Sequence, residues 1–182
     1  LAAISSVSMI EMFSSKINEN DGYYIEINGG DIISEKELNT NEGTSIKVKN
    51  LFFNVPARRN FLKSDFVELK HIINVFNNIA ISHNEIEFSF INNDEEIFYL
   101  KKESLKKRII SIFGEKIREN LIPIDEDTQI ANLRGFILKP EFAKKSRSNQ
   151  YIFVNNRSVK SQFINHSIFS SFDGLMRDGF YP

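Results

Sequence analysis

Cysteine and tryptophan are absent from the 182 residues. Without thiols there is no disulfide framework, no thiolate-ligated zinc or iron–sulfur centre and no cysteine nucleophile. Histidine occurs three times, at His71, His83 and His166, with no H-x-x-x-H spacing, which argues against a histidine-rich metal site. His71 and His166 fall within helical patterns and are expected to pack or hydrogen-bond there. The eight glycines are too scattered to form G-x-G, G-x-x-x-x-G-K-[ST] or G-x-S-x-G, so no phosphate loop or nucleophile elbow is present. No run of about 18 apolar residues occurs, and no membrane span is expected. The opening LAAISSVSMIEMF lacks the basic flank and cleavage pattern of a secretory signal, so a cytoplasmic protein is expected.

Hydrophobic residues make up 41% and charged residues 26%, enough to bury a core in one large or two small domains. The chain opens at Leu1 and closes on Phe180-Tyr181-Pro182, and is expected to be an internal fragment of something longer.

The net charge of −1 conceals an asymmetry. Residues 1–42 hold two basic and eight acidic residues, a balance of −6, and the remainder carries +5. The excess clusters at Lys47, Lys49, Arg58, Arg59 and Lys63, then at Lys101, Lys102, Lys106, Lys107 and Arg108, and again from Lys139 to Lys160. Any one such run reads as solvated surface; three of them point towards a polyanionic partner. The acids Asp125, Glu126 and Asp127 read as a solvated loop, and no self-sufficient catalytic constellation or metal site is assembled.

Periodicity predicts an α+β fold. Strands are expected at 6–13, 22–29, 31–35 and 44–49, with Asn28-Gly29 as a hairpin turn. Pro56 is expected to force a tight, non-helical exit. A helix follows at 65–81, with Phe66, Leu69, Ile72, Ile73, Phe76, Ile79 and Ala80 on its buried face and Asp65 with Glu68 as a capping box. A hairpin at 86–100 turns at Asn92-Asn93-Asp94. The basic Lys101-Lys102 stretch is the expected domain boundary. Beyond it come a helix at 103–113 stopped by Gly114, a short helix at 115–120, a strand at 130–138 and the basic loop KPEFAKKSRSN. A strand at 150–154 then turns at Asn155-Asn156, and a last helix spans 161–173 with Phe163, Ile164, Ser167, Ile168, Ser171 and Phe172 inward.

The most specific segment is Gly43 to Lys63, GTSIKVKNLFFNVPARRNFLK. A glycine and a small hydroxyl open a strand, two phenylalanines anchor its end, and a proline corner presents two arginines. P-A-R-R alone reads more readily as a purely structural turn. The whole block resembles the G-T-x-V-x-V-x-x-L-F-x-N-x-P-A-R-x-K-F-L signature of MutL-type DNA mismatch repair proteins, members of the gyrase, heat-shock chaperone, histidine kinase and MutL ATPase superfamily. LAAISSVSMIEM, FVELKHIINVFNNIAISHNEIEFSFINND and YIFVNNRSVKSQFINHSI resemble further family segments in the same order. The departures are Asn60 for the usual lysine, Asn156 for the usual glycine and Val55 for the common threonine.

The resemblance implies the later half of a Bergerat-type ATPase α/β sandwich at residues 1–100. It implies a truncated transducer domain of the ribosomal-protein βαβ type at 101–182. It implies ATP and Mg²⁺ as cofactors of the full-length parent, a weak ATPase, and none for this fragment, whose general base, Mg²⁺ ligand and phosphate-binding loops would lie before Leu1. A lysine reaching the γ-phosphate would lie after Pro182. Thr44, with Gly43, would form the floor near the adenine. Sequence-independent DNA contact would fall to Arg58, Arg59, Lys144, Lys145, Arg147, Arg157 and Lys160. The implied parent is a cytoplasmic, nucleoid-associated homodimer that binds DNA. It would relay mismatch recognition from a mismatch-recognition protein to a repair nuclease or helicase. The alternatives are the ATPase and transducer region of a type II topoisomerase subunit and a non-catalytic DNA-binding module. Missing neighbours are expected to leave the first strand's edge and an apolar sheet face exposed.

Overall fold

The computed structural model describes residues 1–18, 21–146, 149–177 and 179–181. The chain divides into two compact units, residues 1–68 and 69–182. Lys101 and Lys102 lie within the second unit.

The first unit is built on a four-stranded antiparallel sheet. Its strands are β1 (Met9–Ser15), β2 (Asp21–Asn28), β3 (Asp31–Asn39) and β4 (Gly43–Lys49), in the order β3-β2-β1-β4. The alternation in β2 and β4 has its expected consequence. Ile10 pairs with Ile27 and Val48, and Met12 pairs with Ile25 and Ile46, so one face is a continuous aliphatic stripe. The other face carries Glu11 between Lys47 and Lys49, with Phe13 against Tyr24 at 4.7 Å.

Several expectations change here. Residues 6–8 are not strand: a short helix, α1 (Ala2–Ser5), precedes β1. Ser5 and Ser8 turn their hydroxyls back onto the carbonyls of Ala2 and Ile4, bonds that favour a helical turn over a ladder. β1 is interior rather than an edge, and the free edges are β3 and β4. The apolar face is nevertheless open near β4, where Ile46 and Val48 remain 43% and 45% exposed. The β2–β3 turn is Gly29-Gly30, both at positive φ, because Asn28 still pairs with Asp31. Pro56 does not exclude helix. It occupies the first turn of α2 (Pro56–Asn60), where its missing N–H costs nothing.

Helix α3 (Asp65–Ser82) buries Asn77, Ala80 and Ile81. Phe66, Ile72 and Ile79 are exposed, so the inward face is narrower than the apolar spacing suggests. The expected capping box is displaced: Glu68 accepts from the Lys63 N–H, two residues before Asp65.

In the second unit, β5 (Phe88–Asn92) and β6 (Glu95–Leu100) form a hairpin turned at Asn93 and Asp94, both at positive φ. Phe76 of α3 meets Phe88, Phe90 and Phe98 at 6.0, 5.1 and 5.5 Å between ring centroids. Such pairs contribute about 0.5–1.5 kcal/mol each beyond burial. Helix α4 (Leu105–Phe113) ends at Gly114, whose φ of 92° suits a residue without Cβ. A 3-10 turn at Glu115–Asn120 leads into β7 (Leu121–Asp127), which pairs with β8 (Asn132–Leu138). The acids expected in a loop are therefore on a strand, with Arg134 of β8 reaching Asp125 at 3.1 Å and Asp127 at 4.0 Å. Proline at 123 and the acidic run hide this strand from a propensity reading.

The last elements are a two-residue ladder, β9 (Phe153–Val154) with β10 (Arg157–Ser158), and helix α5 (Gln162–Ser171). Ser161 caps α5 by accepting from the Ile164 N–H. Phe172 is buried, but Phe163 is 80% exposed, contrary to its expected inward placement. His71 and His166 lie in helices as expected, yet both are exposed rather than packed.

Candidate functional site

Gly43 opens β4 at a φ of 104°, a conformation that favours glycine. Thr44 follows, directly opposite Ser14 of β1, and the two hydroxyl oxygens are 2.8 Å apart. Strand alternation puts Thr44 on the same face as Ile46 and Val48. An open depression of about 350 Å³ borders the same strand end, where Thr40, Glu42, Gly43 and Thr44 meet Phe13, Ser45 and Lys47 of the opposite, polar face. A hydroxyl pair beside an aliphatic stripe fits the edge of a heteroaromatic base. Among the described residues no three histidine, aspartate or glutamate side chains gather. Ser14 had no sequence signal, because its partner is 30 residues away.

Arg58 and Arg59 sit in the last turn of α2, on a corner that is pinned rather than loose. Phe52 and Asn50 adopt positive φ. The Phe52 N–H donates to the Val7 carbonyl at 2.7 Å, and the Asn54 amide donates to Ser6 at 2.9 Å. Such backbone conformations cost about 1–3 kcal/mol for a non-glycine residue and persist where surrounding contacts hold them. Both arginines are exposed, with no carboxylate partner among the described residues.

The remaining candidate cations belong to the second unit. Lys144 exchanges backbone hydrogen bonds with Tyr181, and the Lys145 ammonium lies 5.7 Å from the Phe180 ring centroid. Arg147 lies outside the described residues. Arg157 and Lys160 follow the expected turn: Asn155 and Asn156 have φ of 49° and 62°, as a tight two-residue hairpin requires. The Val159 N–H closes on the Ile152 carbonyl beyond the ladder. Ser158 Oγ donates to Asn78 Oδ1 on α3 at 2.8 Å. Thus Lys144 and Lys145 are held by the chain near residue 180, and Ser158, beside Arg157, by α3.

Arg108 must be removed from the basic surface. It is fully buried, and its guanidinium donates to the carbonyls of Ala80, Asn84, Ile86 and Lys101 and to Glu103. The Phe88 ring lies 5.5 Å away. The Lys-Lys-Arg run concealed this, since each neighbour in sequence is solvated more than Arg108 is.

Comparison with known proteins sets these features in context. Residues 109–182 match the family model described as DNA mismatch repair protein, C-terminal domain. Over its whole length the chain is 46% identical to the DNA mismatch repair protein MutL of Christiangramia forsetii and 47% identical to that of Flavobacterium psychrophilum. It spans about 30% of the length of each. Among solved structures, the Aquifex aeolicus MutL ATPase domain complexed with ADP superimposes with a TM-score of 0.77 at 27% identity. That match covers 92% of this chain and 65% of the other. The N-terminal domain of a DNA repair protein shares the fold, with a TM-score of 0.81 at 21% identity over 96% of this chain and 58% of that one. The fold is thus a mixed α and β one similar to a MutL ATPase domain. Sequence and fold together place the chain in the MutL-type DNA mismatch repair family.

Proposed function

We propose that residues 1–182 are the DNA-contacting and nucleotide-responsive part of an ATP-operated mismatch repair matchmaker. In this reading residues 1–100 complete a Bergerat-type ATPase domain and residues 101–182 are transducer. Gly43 and Thr44 form the polar floor beneath the adenine of ATP. The phosphates and Mg²⁺ are held by elements of the parent outside these 182 residues, and this segment alone binds no nucleotide. The parent is a homodimer in the cytoplasm, associated with the nucleoid. It passes mismatch recognition from a recognition protein to a nuclease or helicase.

The observation that carries the DNA reading is the Asn155-Asn156 hairpin, which presents exposed Arg157 on a short ladder with Lys160 just beyond. Neither cation has a carboxylate partner among the described residues. Lys144, Lys145, Arg147, Arg58 and Arg59 add positive charge. Among the described residues no aromatic platform or recognition helix accompanies them, so contact is with phosphate and carries no sequence preference. The test is duplex binding by the full-length protein across a salt series, with two duplexes of unrelated sequence. Equal affinities that fall linearly in log–log form with salt support the reading. A strong preference for one duplex, or affinity indifferent to salt, overturns it.

A further inference from the structure

The β9–β10 ladder is two residue pairs long, Arg157 with Val154 and Ser158 with Phe153. So short a ladder fixes its own register weakly, and a slip of one residue would exchange the faces of every side chain. Adjacent residues on a strand point to opposite faces. The face on which Ser158 lies therefore decides the face on which Arg157 lies.

We infer that Asn78 is the positioning residue for Arg157: by accepting the Ser158 hydroxyl, it turns Arg157 away from helix α3 and towards a phosphate backbone. This rests on the reading of Arg157 as a DNA contact. Asn78 is suited to the task because its amide nitrogen is committed to the Asn74 carbonyl at 2.8 Å, which leaves Oδ1 aimed at Ser158. The neighbouring Asn77 is buried, 7% exposed, and its Oδ1 accepts no hydrogen bond among the described residues. The Tyr151 ring rests 5.7 Å from that of Phe113. Asn78 thus ties one leg of the hairpin to the helix. The helix is itself fixed two residues further on, where Arg108 takes the Ala80 carbonyl. Spread over 80 residues of sequence, the Ser158–Asn78 contact leaves no local signature.

The experiment uses the full-length protein and a fluorescent duplex, reading affinity across a salt series alongside melting temperature. Ser158→Ala and Asn78→Ala should each weaken binding several-fold and lower the salt slope by up to about 1, the equivalent of one phosphate contact. Their melting temperatures should stay near that of the parent, since the contact is exposed. Ser158→Thr, which keeps the hydroxyl, should bind like the parent, and the double alanine variant should be no worse than either single one. Arg157→Glu is run in parallel. If it lowers the slope while Ser158→Ala does not, the positioning role is overturned and the DNA reading stands. If Arg157→Glu itself changes nothing, the DNA reading falls and the positioning role falls with it. A loss in Ser158→Ala that Ser158→Thr fails to restore also overturns the positioning role.

Discussion

Arg108 Nη1 donates to the carbonyl oxygen of Ala80 at 2.6 Å, and neither residue exposes any surface. One guanidinium thereby ties the end of α3 to the start of α4. Through Ile86 and Lys101 it also holds both ends of the β5–β6 hairpin. Only the planar five-donor fork of arginine satisfies so many acceptors at once.

Removing that fork should be costly. Arg108→Met leaves buried carbonyls unpaired and Glu103 without its cation, for an expected loss of about 3–5 kcal/mol. Arg108→Lys should also destabilise, because an ammonium cannot span the same acceptors. Lys107→Met, at an exposed neighbour, should stay within about 0.5 kcal/mol of the parent. Chemical denaturation midpoints decide the matter, and comparable behaviour of the two methionine variants would refute the clamp.

The polar face of the first unit should respond to acid. The Lys49 ammonium holds the Glu11 carboxyl below its ordinary value of 4.5, with Lys47 adding attraction. A carboxylate depressed in the folded state stabilises above its unfolded pKa and loses that contribution as pH falls through the folded value. Stability should therefore decline below pH 4.5, and Glu11→Gln should flatten that part of the profile. The pair is exposed, so added salt should shrink the difference between the two proteins. Denaturant midpoints against pH at two ionic strengths test this.

The hairpin at Asn155-Asn156 demands two residues at positive φ. Asn156→Ala should cost about 1–2 kcal/mol, the penalty of a left-handed conformation for a Cβ-bearing residue. Asn156→Gly should be neutral or slightly stabilising. Thermal melts of the two variants should diverge in that order, and identical melts would show that the turn is not under this constraint.

What the sequence made legible was local. The alternation of Ile46 and Val48, the Asn155-Asn156 turn, the stop at Gly114 and the helical period of α3, though not the breadth of its buried face, each reflect forces acting within a few residues and have their counterpart in the fold. Elements that rest on distant partners were hidden. Ser14 finds Thr44 across 30 residues, and Ser158 finds Asn78 across 80. Arg108 reads as one more cation in a basic run until the carbonyls around it are in place. The strand at Leu121–Asp127 was masked by its proline and acids, which β8 accommodates by placing Arg134 beside them. The cations read as DNA contacts were visible as charge. Which of them stand on a rigid support was visible only in three dimensions.

Charge reversal at one position tests the central claim most directly. Duplex affinity of the full-length protein is measured by anisotropy at several salt concentrations for Arg157→Glu and for Lys36→Glu, a control in the acidic first segment where Lys36 lies 5.2 Å from the Tyr24 ring centroid. Arg157→Glu should bind more weakly with a salt slope lower by about 1, and Lys36→Glu should match the parent. Equal losses in the two variants, or no dependence on salt in either, would contradict the assignment and leave the basic clusters as solvated surface.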